Sequence, residues 1–482
     1  SAAEKMEESR RLVEKIGKEG RVAYGIKTGL GELANVSIPD EDIRRLQLNI
    51  IRSHSAGVGD PLPREIVRAM MVLRANGLAK GHSGVRPSIV ELLCGMLNRG
   101  VHPIIPRKGS VGASGDLAPL AHMAQVMIGE GEALHKGERL PGAEALKKAG
   151  LEPVELLAKE GLALINGTSL MAAYGCLGLN DANHLIKDAI IAGALSFEAL
   201  KASAQPFDPR IQALRPHPGQ TAAARVLLKI LQESEIIPSH KDCPKVQDAY
   251  TLRCMPQVFG ACIDVLTQAY GVLSIEINSA TDNPLLFPTE GESLSCGNFH
   301  GQPLSFILDF MAIALCSLAG FSERRIARLV DGHLSGLPPF LTEKSGLNSG
   351  LMLAQYTAAA LASENKVLAH PASADSIPTS ADQEDFVCMG PAAGEKLFQI
   401  IRNARYLVAI EYLCAAQGLE FLKPLKPGKG ALSAYEFLRR FIPPLVEDRS
   451  IAEDLVKIDG LLTEAKVIEA VEAAVGPLEL KP

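Results

Sequence analysis

The chain has no tryptophan, and aromatic side chains make up only 5% of its 482 residues. A core poor in large rings must be filled by Leu, Ile, Val, Ala and Met, which suits closely packed helices. Neither sign of charge is in excess. Against 55 Asp and Glu stand 49 Lys and Arg, a formal net charge of −6, which gives no support for binding nucleic acid or another polyanion. No run of about 18 uninterrupted apolar residues occurs, so no membrane-crossing helix is expected. There is no CxxC pair, and the nine cysteines are odd in number and sit mostly in apolar stretches. That argues against a disulfide framework and for a reducing, cytoplasmic compartment. The first twenty residues are charged and lack an apolar stretch, so they do not read as a signal peptide. P-loop and GxGxxG motifs are absent, and Gly112-Ala113-Ser114-Gly115 lacks the spacing of a GxSxG elbow. His82, His240 and His300 lack a metal-ligand spacing; each reads as a hydrogen-bonded structural histidine, and no metal is expected.

What is present is helix. Residues 63–80 and 86–98 carry apolar side chains at i, i+3, i+4 and i+7, with Pro63 and Pro87 near their starts. Gly and Pro punctuate 100–116, and a further helix is expected to begin near Asp116. Residues 168–203, 255–280, 300–330, 352–369 and 392–422 are long, apolar and poor in proline, as in a bundle of long helices. A stretch near 304–320 is apolar almost all round and is hard to bury within one chain, so subunits are expected to share a helical core. The expected fold is mainly α: a smaller mixed N-terminal domain, 1–165, and a long-helix bundle, 166–482.

The segment with the most chemistry is Gly109-Ser-Val-Gly-Ala-Ser-Gly-Asp116. In Ala113-Ser114-Gly115 a tight bend brings the amide nitrogen of Gly115 toward the carbonyl carbon of Ala113, an approach that glycine, lacking Cβ, makes at the lowest steric cost. Ring closure with loss of water, including the Ser114 hydroxyl, leaves a methylidene on a five-membered ring. Side chains supply no strong electrophile, so such a group would serve chemistry on an electron-rich substrate. A helix N-terminus just beyond the triplet would make it more electron-poor.

The stretch from Gly109 to Ala133 resembles the signature of the histidine and aromatic amino-acid ammonia-lyase family, and the resemblance runs from about Tyr24 to about Gln417. It implies that Ala113, Ser114 and Gly115 mature into 4-methylidene-imidazole-5-one (MIO), with no external cofactor. It implies loss of ammonia from a small α-amino acid, in a homotetramer whose sites draw on several subunits. Relatives usually carry a leading segment before the tyrosine motif, so the chain reads as a short or trimmed version.

Other candidates are read alongside that resemblance. Tyr24, in Tyr-Gly-Ile-Lys-Thr-Gly-Leu-Gly, lies in a glycine-rich loop suited to a lid; relatives use this tyrosine as catalytic acid/base. As a base it would need a lowered pKa, to which Lys27 could contribute, although relatives usually have Asn or Thr at that position, which leaves its role open. Arg253 has the planar fork that matches a carboxylate, and Gln247 and Tyr250 precede it at i+3 spacings. In relatives the arginine holds the substrate carboxylate, and the glutamine and tyrosine line the site, with Tyr250 counted among the catalytic groups. The resemblance places Asn166 beside the electrophile and the substrate carboxylate, and Phe299 against the prosthetic ring; on their own they read as a helix cap and a core residue.

Substrate choice rests on Ser53-His54 and Glu384. A carboxylate facing an imidazole accepts its N–H and favours the charged ring. The resemblance therefore implies histidine as substrate and Glu384 as a catalytic partner of its imidazole. Two departures keep a tyrosine or phenylalanine lyase, or an aminomutase, as the alternative. Asp382 and Phe386 stand where histidine lyases typically have Asn and His, and Ser-His also occurs in some tyrosine aminomutases.

Overall fold

The computed structural model describes residues 1–480 except Val22, Leu30, Pro244 and Lys245. Two compact units interleave along the chain. The first comprises Ser1–Leu177, Gly271–Asp309 and Pro371–Glu395; the second comprises Gly178–Tyr270, Phe310–His370 and Lys396–Pro482. Residues 1–165 lie whole within the first unit, and those from 166 onward are divided between both.

The first unit is mixed. Its helices Arg64–Ala79 and Pro87–Arg99 match the apolar periodicity and pack on each other, and Met70, Met71, Ile89, Leu93 and Met96 on them are buried. Pro87 stands at the first helical position, where its missing N–H leaves no bond unmade. Around these helices run short antiparallel ladders. Val58–Pro61 pairs with Pro106–Lys108, Glu132–His135 sits between Val101–Pro103 and Glu138–Pro141, and Leu285–Phe287 pairs with Glu292–Leu294. The first ladder brings the chain into the 109–116 segment, and helix Leu117–Met127 leads out of it.

The long apolar segments form the long helices Ser169–Ala199, Met255–Glu276, Gln302–Val330, Met352–Leu368 and Gly390–Glu420. Met255–Glu276 and Gln302–Val330 are long and apolar enough to cross a membrane by length and composition alone, which the absence of an uninterrupted apolar run did not foresee. A core helix passes the same test, and Gln302–Val330 carries a charge inward. Its Arg325 is buried, donating to both carboxylate oxygens of Glu411, at 2.5 Å from Nε and 2.8 Å from Nη2. The Arg325 guanidinium also lies against the Phe259 and Phe321 rings. Breaking such a buried pair by removing one partner costs about 3–5 kcal/mol. None of the nine cysteines is joined in a disulfide among the described residues.

Candidate functional site

The segment 109–116 is held in a contorted path. Ser114 has φ 50° and Gly115 φ 82°, both in the left-handed region, and Gly115 N donates to Gly112 O across a long 3.4 Å. The bend is pinned from outside. Gly167 N donates to Ser114 O at 3.1 Å, and Gly167 O accepts from Asp116 N at 2.8 Å, making a parallel bridge between Gly115 and Gly167. A Cβ on Gly115 would collide with the Gly167 backbone, so only glycine fits here. Met389 N donates to Val111 O at 2.9 Å on the other side.

Asp116 caps helix Leu117–Met127 by position but makes no side-chain bond to it. Its carboxylate reaches instead to the first turn of Ser169–Ala199, where Oδ2 accepts from Leu170 N at 2.7 Å and Met171 N at 3.2 Å, while Oδ1 has no partner. Burial pushes this carboxyl up to about 7; the amide donors and the Arg74 charge pull the other way. The folded state therefore keeps a proton that the unfolded chain has already lost, and stability falls as pH rises from the ordinary carboxylate range toward about 7. Asp116→Asn should flatten that slope. Thermal midpoints compared at about pH 5 and about pH 7.5 should differ less in the variant than in the wild type.

Five other predicted residues, Tyr24, His54, Asn166, Phe299 and Glu384, lie in the same unit. Ser114 Oγ donates to Glu384 Oε1 at 3.2 Å, and Thr379 Oγ1 donates to Glu384 Oε2 at 2.7 Å. Glu384 sits on a tight loop in which Ser380, Ala381 and Asp382 are all left-handed and Thr379 bridges back to Glu384. The Glu384 charge reaches both Tyr24 and His54. His54 ends helix Ile43–His54, and its Nδ1 donates to Ile50 O at 2.9 Å, leaving Nε2 as the acceptor. Burial lowers its pKa, which favours the neutral ring.

Tyr24 departs from expectation. Its Oη accepts from Gly31 N at 3.2 Å, but burial raises the phenol pKa and the nearby Glu384 charge raises it further. Lys27 offers no help, because it pairs with Asp40 at 2.7 Å and secures the loop. The glycine-rich loop meets the Glu384 loop through Glu32 N donating to Ser380 Oγ at 3.3 Å.

Asn166 ends helix Glu160–Ile165 and is buried. Its side-chain amide donates to Asp282 Oδ1 at 3.2 Å and to Asn283 O at 2.9 Å. Phe299 is half-buried in the turn before Gln302–Val330. The neighbouring His300 stacks on Phe386 at 6.2 Å and bonds Phe386 O at 3.4 Å. His82 and His240 likewise bond backbone carbonyls, Leu286 O and Ile236 O, each at 2.9 Å.

Gln247, Tyr250 and Arg253 belong to the second unit. Only Tyr250 and Arg253 share the short helix Tyr250–Arg253; Gln247 lies before it. Arg253 Nε donates to Asp248 O at 3.0 Å, and its guanidinium lies 4.5 Å from the centre of the exposed Tyr250 ring. Gln247, Asp248 and Arg253 line a cavity of about 740 Å³ together with Lys201, Gln205 and His240.

A family model for aromatic amino acid lyases matches residues 1–440. The chain belongs to the aromatic amino acid lyase family. It is 53% identical over 471 residues to a histidine ammonia-lyase of Caldanaerobacter subterraneus subsp. tengcongensis, covering 98% of this chain and 92% of that one. Among solved structures it is similar to a histidine ammonia-lyase from Trypanosoma cruzi, with a TM-score of 0.91, 42% identity, and coverage of 98% and 90% of the two chains. A tyrosine aminomutase from Streptomyces globisporus superposes with a TM-score of 0.93 at 39% identity, covering 99% and 95%.

For a lyase of this family the sequence reading missed one layer. Arg74, Lys159 and Asp282 are fully buried charges close behind Asn166 and Gly167. Their sequence signal was a lone charge in an apolar setting, as with Arg74 in Met-Met-Val-Leu-Arg-Ala.

Proposed function

We propose that this chain is a cytoplasmic histidine ammonia-lyase, converting L-histidine to trans-urocanate and ammonia. The observation that carries this reading is the placement of Glu384. Its carboxylate bonds the hydroxyl of the reactive triplet and its charge reaches His54 and Tyr24, a polar setting suited to an imidazole and unfavourable to a plain phenyl ring. The relatives at about half identity, acting by their names on histidine, support the same choice. Nine cysteines with no disulfide among the described residues support a reducing compartment.

The residues at 113–115 fit an internally formed MIO. Left-handed Ser114 and Gly115, and a backbone contact that no Cβ tolerates, are what the approach of Gly115 N to Ala113 requires. When formed from Ala113, Ser114 and Gly115, the MIO group would supply an electrophile for the substrate that side chains do not offer. Tyr24 Oη takes the β-proton. Burial and Glu384 oppose its phenolate, so the base form would depend on a positive charge that bound substrate brings beside it. Neutral His54 presents Nε2, and Glu384 accepts the imidazole N–H.

Asn166 Oδ1 is the free end of a carboxamide whose N–H groups are already engaged, and it accepts from the substrate. Arg253 holds the substrate carboxylate bidentately, with Gln247 and Tyr250 beside it and Phe299 against the ring. Gln247, Tyr250 and Arg253 reach the site across subunits of a homotetramer. Supporting assembly, Phe310 and Ile313 of one helix and Leu353 and Tyr356 of another are exposed apolar side chains. Light scattering should give a tetramer; an active monomer at assay concentration would remove this part of the proposal.

Incubation with histidine, tyrosine and phenylalanine side by side tests the whole reading. Urocanate should dominate. A preference for tyrosine or phenylalanine, or a β-amino acid product, would assign the chain to another branch of the family.

A further inference from the structure

Gly167 grips the triplet at two points, the carbonyl of Ser114 and the N–H of Asp116, which are the peptide groups on either side of Gly115. Those bonds fix both flanks of the reacting residue and leave Gly115 N only its long bond to Gly112 O. Gly167 is trapped in turn. Its φ is +111°, and a Cβ would meet the Thr281 backbone, Thr281 Oγ1 at 2.7 Å and Arg74 Nη1 at 2.8 Å. Arg74 Nη1 donates to the carbonyl of Asn166, the other side of the same peptide. Behind it, Asp282 Oδ1 accepts from Asn166 Nδ2, and Asp282 Oδ2 accepts from Lys159 Nζ at 2.8 Å. Arg74, Lys159 and Asp282 are each 1% exposed or less, and their side chains bond one another, Asn166 and Asn283 rather than the triplet.

Burying charges is expensive unless they are paired. Lys159 and Asp282 pair with each other, while Arg74 bonds the Asn166 carbonyl, feels the Asp282 charge and leaves its buried Nε without a partner, all around one short piece of backbone. An apolar filling would hold a helix junction as well, but it would not dictate where the Asn166–Gly167 peptide points. We propose that Arg74, Lys159 and Asp282 are positioning residues for ring closure: they hold Gly167 as a clamp that compresses the triplet so that Gly115 N meets the Ala113 carbonyl carbon.

The proposal rests on the MIO reading. The chemistry balances without an added reagent. The Gly115 N–C bond to Ala113 forms; the Ala113 oxygen leaves as water with the amide protons of Gly115 and Ser114, as the Ala113 carbon and Ser114 nitrogen become doubly bonded. The Ser114 hydroxyl leaves as a second water with the Ser114 Cα proton, forming the methylidene.

The experiment uses the full chain with Arg74→Lys, which keeps the charge and loses the fork, and Lys159→Met, which removes the far partner of Asp282. Freshly synthesised protein is followed by intact mass, beside thermal melting and turnover. Wild type should lose two waters. The folded variants should lose them at least roughly tenfold more slowly, since displacements of about 1 Å cost up to a hundredfold in such alignments. Turnover per matured molecule should stay near the wild-type value, which a role in catalysis itself would not allow. Folded variants that mature at the wild-type rate would overturn the proposal, and so would two variants that fail to fold, which would assign the cluster to stability alone. A wild type that loses no water would instead sink the MIO reading.

Discussion

Ser114→Ala is expected to fold and to lose activity by at least about 10³, the order seen when a covalent catalytic group is removed. The hydroxyl is the part of residue 114 that the second dehydration consumes, and no neighbour can replace it. The cost to the fold is small by comparison. Ser114 Oγ makes one bond, to Glu384 Oε1 at 3.2 Å, in a half-buried position, and alanine meets the φ of 50° with the same strain as serine. Circular dichroism and melting should therefore match the wild type closely, while intact mass should show a loss of at most one water, since alanine has no hydroxyl to eliminate. Turnover like that of the wild type in a folded Ser114→Ala protein would eliminate the internally formed electrophile and with it the proposed reaction.

Glu384→Gln should change what the enzyme prefers more than whether it works. A charged hydrogen-bond partner in a desolvated site is worth about 1.5–3 kcal/mol, so kcat/KM for histidine should fall by about one to two orders of magnitude. A phenol or phenyl side chain makes no such bond to the carboxylate, and its turnover should stay level or rise. Removing the charge also relieves Tyr24 of one influence that opposes its phenolate, which works in favour of any substrate lacking an imidazole. The decisive quantity is the ratio of kcat/KM for histidine and tyrosine in both proteins. An unchanged ratio would mean that Glu384 serves the Ser114 hydroxyl and the Thr379 loop without reading the substrate.

Much of the fold is legible in the sequence because helices announce themselves locally. Apolar spacing with Pro87 at its head was enough to place Pro87–Arg99 within a residue of its bounds, and long proline-poor runs placed the five long helices to within a few residues at most ends. The 109–116 segment was legible for a different reason: the triplet alone reads as an ordinary turn, and it is the resemblance of the stretch from Gly109 to Ala133 to a family signature that points to its chemistry. What stayed hidden depends on partners far away in the chain. Lys159 meets its carboxylate 123 residues on, and Asp116 finds its amide donors 54 and 55 residues on. Tyr24 misled through a need inferred from chemistry: a base requires a lowered pKa, whereas the ligand-free pocket supplies burial and a negative neighbour. Lys27 misled through proximity in sequence, its charge being taken up by Asp40.

The interleaving of the two units sets a schedule for the ribosome. Residues 109–116 emerge early, but what holds them comes late: Gly167 first, then Thr281 and Asp282, and finally the Met389 amide that grips Val111. A nascent chain stalled or cleaved before about residue 390 lacks the last of these restraints and has no finished mould for its own reactive loop. If the proposed electrophile forms, premature fragments would lack the means to make it. A reactive group made from backbone would be a hazard to thiols and amines in a cell, and this topology would delay it until the later restraints have been synthesised.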